Sequence, residues 1–99
     1  MLSTLTGKQK RYLRAIGSTL DPVVQIGKAG VIGSVITSAE DVLTARELIK
    51  VRVLQNSPAE PAEAISVLAE ATGAELVQII GRNGLLYKRN PENARIELP

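Results

Sequence analysis

The sequence predicts a single α/β domain in the order α-β-α-β-α-β-β, with a four-stranded mixed sheet and helices stacked on it. Three observations carry this. The chain has 99 residues, 44% hydrophobic and 22% charged, enough for one core and too few for two. Three stretches repeat their apolar residues at the helical interval, and four short runs are β-rich. The two kinds alternate, so each strand-helix-strand passage can close as a right-handed crossover between parallel strands. At this length folding buries roughly 65% of the surface the unfolded chain exposes, and a core forms without covalent staples.

The first helix is expected over residues 6–19. Leu5, Gln9, Tyr12, Leu13, Ile16 and Leu20 fall within about 100° of arc, with Tyr12 read as a core residue. Lys10, Arg11 and Arg14 gather on the opposite side, with Lys8 between the faces, and no acidic residue at helical spacing pairs with them. Asp21-Pro22 ends the helix, because the residue before proline is pushed out of the α region. Val23-Val24-Gln25-Ile26 reads as a strand, broken by Gly27-Lys28-Ala29-Gly30. A second helix runs over 34–46, with Val35, Ile36, Ala39, Val42 and Leu43 on one side. In 48–54, Ile49, Val51 and Val53 alternate with Lys50 and Arg52, so the strand has one covered and one cationic face. Asn56-Ser57-Pro58 is a turn, residues 62–72 form a third helix, and Gly73 is its C-terminal cap. Residues 75–80 and 85–88 are two more strands, joined at Gly81-Arg82-Asn83-Gly84 by a hairpin. The domain is expected to span 1–90, and residues 91–99 to form a loosely ordered tail.

Composition removes most enzyme chemistry. The chain lacks cysteine and histidine, which excludes disulfides, thiolate nucleophiles, zinc sites of the Cys/His type and a histidine acid or base. Glu60, Glu63, Glu70 and Glu75 read as solvated acids, so no catalytic residue, metal or cofactor is expected. No apolar run approaches the ~18 residues of a membrane span, and residues 1–10 lack the apolar core of a signal peptide. The expectation is a soluble cytoplasmic monomer with no membrane or small-molecule partner. The only aromatic residues are Tyr12 and Tyr87, too few for a base-stacking platform, so nucleic-acid binding would have to read the backbone.

The formal net charge of +2 hides an asymmetry: residues 1–30 carry +4, residues 31–80 carry −4 and residues 81–99 carry +2. If the two ends meet in space they form one positive surface on a mildly acidic body. Gly27-Lys28-Ala29-Gly30 follows a strand and precedes a helix, where glycines let backbone approach a ligand and helical N–H groups favour an anion. It is neither a Walker loop nor a dinucleotide fingerprint. Lys28 adds a mobile cation at the tip, in the manner of the GXXG loop with which KH domains clamp an RNA backbone. Lys50, Arg52 and Lys88 are candidates to extend the same surface; shielding of a strand edge is the plainer reading of Lys50 and Arg52.

Four motifs in order carry a resemblance: Leu5-Thr6-Gly7-Lys8-Gln9-Lys10-Arg11-Tyr12-Leu13-Arg14, Pro22 through Gly30, Glu47-Leu48-Ile49-Lys50-Val51-Arg52-Val53, and Ala71 through Gly81. With Leu86-Tyr87-Lys88 as the last strand, the chain resembles the CRM domain, named for chloroplast RNA splicing and ribosome maturation, and within it the bacterial stand-alone YhbY-type proteins. Arg46 stands where the family often has histidine, and Gly33 replaces a commoner polar or acidic residue. The resemblance implies a fold similar to the C-terminal domain of translation initiation factor three. It implies RNA bound at Gly27, Lys28, Ala29 and Gly30 and along the helix bearing Lys8, Lys10, Arg11 and Arg14. It also implies a non-catalytic role with precursors of the large ribosomal subunit. A rival reading is an adaptor docking the same sheet on a ribosomal protein; steep loss of affinity with salt separates phosphate contacts from that case.

Overall fold

Residues 4–99 are described in the computed structural model, and seven elements follow in the predicted order. Residues 1–3, with which the expected domain begins, lie outside the described residues. Helix α1 (Gly7–Gly17) starts at Thr6, whose hydroxyl accepts the Gln9 N–H at 3.1 Å while the Gln9 amide oxygen accepts the Thr6 N–H at 3.0 Å. This reciprocal pair satisfies amides that a helix start leaves without partners. The helix stops earlier than expected because the Ser18 and Thr19 hydroxyls turn back onto the carbonyls of Ala15 and Ile16, offering the backbone an alternative to another helical turn.

Strand β1 (Pro22–Ile26) runs parallel to β2 (Leu48–Val53), and helix α2 (Gly33–Arg46) crosses between them. Helix α3 (Pro61–Thr72) opens on proline and ends as predicted at Gly73, which is left-handed at φ 72°. β3 (Glu75–Ile80) and β4 (Asn83–Tyr87) form the hairpin, and the sheet order is β1-β2-β4-β3 with β4 antiparallel to both neighbours. The passage through α3 therefore joins strands that run the same way without touching, since β4 lies between them. Strands β1, β2 and β3 all end at the same edge of the molecule.

The pleat divides the faces. Ile49, Val51 and Val53 join Val24, Ile26 and Leu86 in the larger core, closed by Ala39 and Leu43 of α2 and Ala64, Ile65 and Leu68 of α3. Leu48, Val77, Leu85 and Tyr87 form a smaller core on the other face with Leu13 of α1. Each fully buried leucine contributes about 2 kcal/mol by its removal from water. Gly17 lets α1 descend onto this face: a Cβ there would collide with Leu85. Tyr12 departs from expectation. It is 42% exposed rather than core, because it stands about 100° around the helix from Leu13, and Ile96 and Leu98 pack at the margin of that core instead.

The segment expected to be a loose tail is fastened at defined points. Glu47, fully buried, accepts the backbone N–H groups of Asn90 at 2.7 Å, Arg95, and Ile96 at 2.8 Å. Its own carbonyl accepts the Lys88 N–H, and the Asn90 side chain donates to the Thr44 carbonyl. The Gln9 side chain donates to the Pro99 carbonyl at 3.2 Å. The C-terminal residue therefore lies beside α1.

Candidate nucleic-acid interface

The sheet edge where β1, β2 and β3 end collects the loops, as open α/β sheets do at their ligand sites. Residues 27–30 form a tight turn closed by the Gly30 N–H donating to the Gly27 carbonyl at 2.9 Å. Gly30 is buried with φ 76°, a conformation that disfavours side chains. An added Cβ there would also meet Pro58 at 3.4 Å, whereas at Gly27 it would find ordinary contact with Leu54 at 3.6 Å. Lys28 and Ala29 stand exposed at the tip. The chain then enters α2 at Ile32 with no side-chain cap and no acidic residue in the first turn, so the positive end of the helix dipole lies next to the Lys28 loop without a neutralising group.

Two further cations reach this edge. Arg52 is exposed on the sheet face that carries α1, opposite Gln25 and Asn83 on the flanking strands. Arg82, not among the residues singled out from sequence, sits in the β3–β4 hairpin and donates to the Leu54 carbonyl at 3.3 Å. The signal was present: a hairpin after a strand codirectional with β1 must lie at the loop edge, but strand direction follows from sheet order, which the sequence does not state.

The remaining candidates are spread differently from the expectation. Lys50 lies half-buried on the Arg52 face, two residues back. Because β2 is central in the sheet, edge shielding does not explain either residue. In α1, Arg11 is fully on the outside, Lys10 and Arg14 are half-buried on a flank, and Lys8 is exposed. Thr4 donates twice to the Glu75 carboxylate at the start of β3, which anchors the Lys8 end of α1 away from the loop edge. Arg14 is the stripe member nearest the open half of the face, about 9 Å beyond Lys8 along the axis. Lys88 does not extend the surface of Lys50 and Arg52. In β4, Gly84 packs against Ile65 of α3 and Leu86 lies in the α3-side core, so the pleat turns Lys88 the same way. Its amine donates to the Thr72 carbonyl at 2.8 Å, at the negative end of α3.

The perturbed ionisable groups lie elsewhere. Burial pushes the Glu47 carboxyl up, but the N–H groups of Asn90, Arg95 and Ile96, aided by Arg89, hold it below the ordinary glutamate range. Burial, and secondarily the Glu47 charge, raises the Tyr87 phenol. The Glu47 carboxylate fastens the C-terminal segment, and Tyr87 belongs to the small core against which Ile96 and Leu98 pack. Among the described residues no helix is long and apolar enough to cross a membrane.

Comparison with known proteins matches residues 5–88 to the family described as the CRS1 / YhbY (CRM) domain. A Bacillus subtilis (strain 168) relative named "Probable RNA-binding protein YqeI" is 46% identical over 95 residues, covering 96% of this chain and 99% of that one. A Haemophilus influenzae protein named "RNA-binding protein" is 37% identical over 98 residues, covering 99% of this chain and 98% of the relative. The solution structure of a Staphylococcus aureus protein, 50% identical, superposes with a TM-score of 0.81 over 97% of this chain and 100% of its own.

Proposed function

The chain belongs to the CRS1 / YhbY (CRM) domain family, and we propose that it is a non-catalytic, cytoplasmic, monomeric RNA-binding protein acting in assembly of the large ribosomal subunit. The observation that carries the RNA-binding part is the tight Gly27–Gly30 turn, with Lys28 at its tip, set beside the uncapped start of α2. Arg52 and Arg82 lie at the same sheet edge. Phosphate oxygens accept from the exposed backbone amides, Lys28 supplies a mobile point charge, and the arginines hold neighbouring phosphates. Lys50 and the α1 residues Lys10, Arg11, Arg14 and Lys8 extend this contact along one face. The names of the relatives support RNA as the ligand. The ribosomal part rests on the resemblance to the stand-alone YhbY-type members.

The deciding measurement is titration of the wild type and Lys28→Ala with a structured ribosomal RNA fragment at low salt. Lys28 is exposed and makes no core contact, so the variant keeps its stability and loses affinity. Overlaying curves would reduce the loop to a turn. Affinity that hardly changes with salt would favour docking on a ribosomal protein instead.

A further inference from the structure

On the α1-bearing face the helix covers only part of the sheet. Where α1 ends, a cleft of about 260 Å³ opens between helix and strands, lined by Gly17, Lys50, Gln78, Ile80, Asn83 and Leu85 among others. Its chemistry is divided. Leu85 of the central strand β4, itself buried in the α1-side core, forms the apolar floor, and Ile80 is 64% exposed, the most exposed of the described large hydrophobic residues. The side chains of Lys50, Gln78 and Asn83 are half-buried there, and none of them hydrogen-bonds or ion-pairs with a described residue. No carboxylate lines the cleft.

We infer that this cleft receives one unpaired nucleobase of the bound RNA. This rests on the RNA-binding reading above and adds to it, since backbone capture at the loop does not require any base to leave its stack. A base needs an apolar surface for its ring and hydrogen-bonding groups for its edge. Ile80, beside the floor formed by Leu85, provides the first; Gln78 and Asn83, each carrying both a donor and an acceptor, provide the second. Lys50 then meets the phosphate of the same nucleotide. The position fits as well: Lys50 lies three residues before Val53, which pairs with Ile26 at the foot of the loop, a separation of about 10 Å along the strand. A strand held at Lys28 and Arg52 continues directly over the cleft. The absence of an acidic lining and the adjacent Arg52 favour an anionic polymer over a peptide as its occupant.

The test uses the ¹⁵N-labelled full chain and three probes: a twelve-nucleotide single-stranded RNA, the same strand paired in a blunt duplex, and an abasic ribose-phosphate strand of equal length. The side-chain NH₂ signals of Gln78 and Asn83 report the cleft, and the backbone amides of Lys28 to Gly30 report the loop. The single strand is expected to move both sets, the duplex and the abasic strand the loop set alone. Gln78→Leu is expected to weaken single-strand binding about fivefold while leaving duplex binding within about twofold, the size of one lost hydrogen bond. Loop signals that move while the side-chain amides stay still with the single strand would reject the cleft and leave the backbone reading intact. Equal movement with the abasic strand, or equal loss of both affinities in Gln78→Leu, would also reject it. If no signal moves with any probe, the RNA-binding reading falls and the cleft proposal with it.

Discussion

Glu47 occupies backbone space better suited to glycine, with φ 65°, and such a residue persists only where its surroundings over-determine it. Here three backbone N–H groups, 43 to 49 positions away, converge on its carboxylate. Glu47→Gln replaces an acceptor oxygen with a donor, and leaving one or more buried amides unsatisfied is expected to cost about 1–3 kcal/mol. Urea unfolding measures the loss, and faster hydrogen exchange at Arg95 and Ile96 locates it. The folded-state pKa is depressed, so the stabilisation is complete above the ordinary glutamate value of 4.5 and disappears as pH falls through the lower folded value. Wild type should therefore lose stability more steeply than Glu47→Gln below that value, and parallel curves would remove the carboxylate from the account. No local pattern announces this role: Glu47 stands in a recognisable motif, but its partners are amides, which every residue except proline carries. Gly30 presents the opposite case. Its place in a glycine turn is legible from sequence, yet the reason a side chain fails there is its positive φ and the contact with Pro58, so Gly30→Val perturbs the turn itself as well as any ligand approaching it.

Helix α1 shows what a periodic pattern does and does not determine. The wheel correctly places Leu13 on the sheet and Arg11 opposite, because both follow from 3.6 residues per turn. It cannot say how wide the covered arc is, and Tyr12 lies outside it. The same limit applies to the strands. Their alternation was readable, but insertion of β4 between β2 and β3 is a pairing choice made across the chain. That choice brings Arg82 to the loop edge, while the pleat at the end of β4 turns Lys88 toward α3. At this scale the prediction concerns the α1 stripe. Replacing Lys10, Arg11 and Arg14 with glutamine should leave the capping pair of Thr6 and Gln9 intact and reduce affinity similarly for unrelated RNAs. The slope of log affinity against log salt should become shallower by about two, the release expected when three phosphate contacts are lost from single-stranded RNA. An unchanged slope would confine the binding surface to Lys28, Lys50, Arg52 and Arg82.

Across the whole molecule, 37 × 26 × 25 Å in extent, positive charge has two centres rather than one. Lys28, Arg52 and Arg82 mark the edge where three strands end, and the fastening of the C-terminal segment to Glu47 and Gln9 places exposed Arg89 and Arg95 at the other end of the sheet, near the Lys8 end of α1. The acidic middle of the sequence supplies much of the opposite side, through exposed Glu40, Asp41, Glu63 and Glu70 of α2 and α3. A surface of this kind suits folded RNA that presents several backbone segments at once, and it orients the protein by keeping the acidic outer faces of α2 and α3, though not the uncapped start of α2, away from phosphate. A single strand that reaches both centres must be ordered between them, whereas a folded particle presents backbone at both already in place. From this, and from the family resemblance for the choice of particle, the protein is expected to cosediment with immature large ribosomal subunits more than with free RNA or translating ribosomes. Gradient fractionation of a lysate, probed for this chain, measures it, and the signal should rise in the precursor fractions when immature subunits accumulate. Reversing charge at one centre alone, by Lys28→Glu, should move part of the protein toward the top of the gradient. A signal that stays at the top whether or not precursors accumulate would leave an RNA-binding protein whose particle is some other folded RNA.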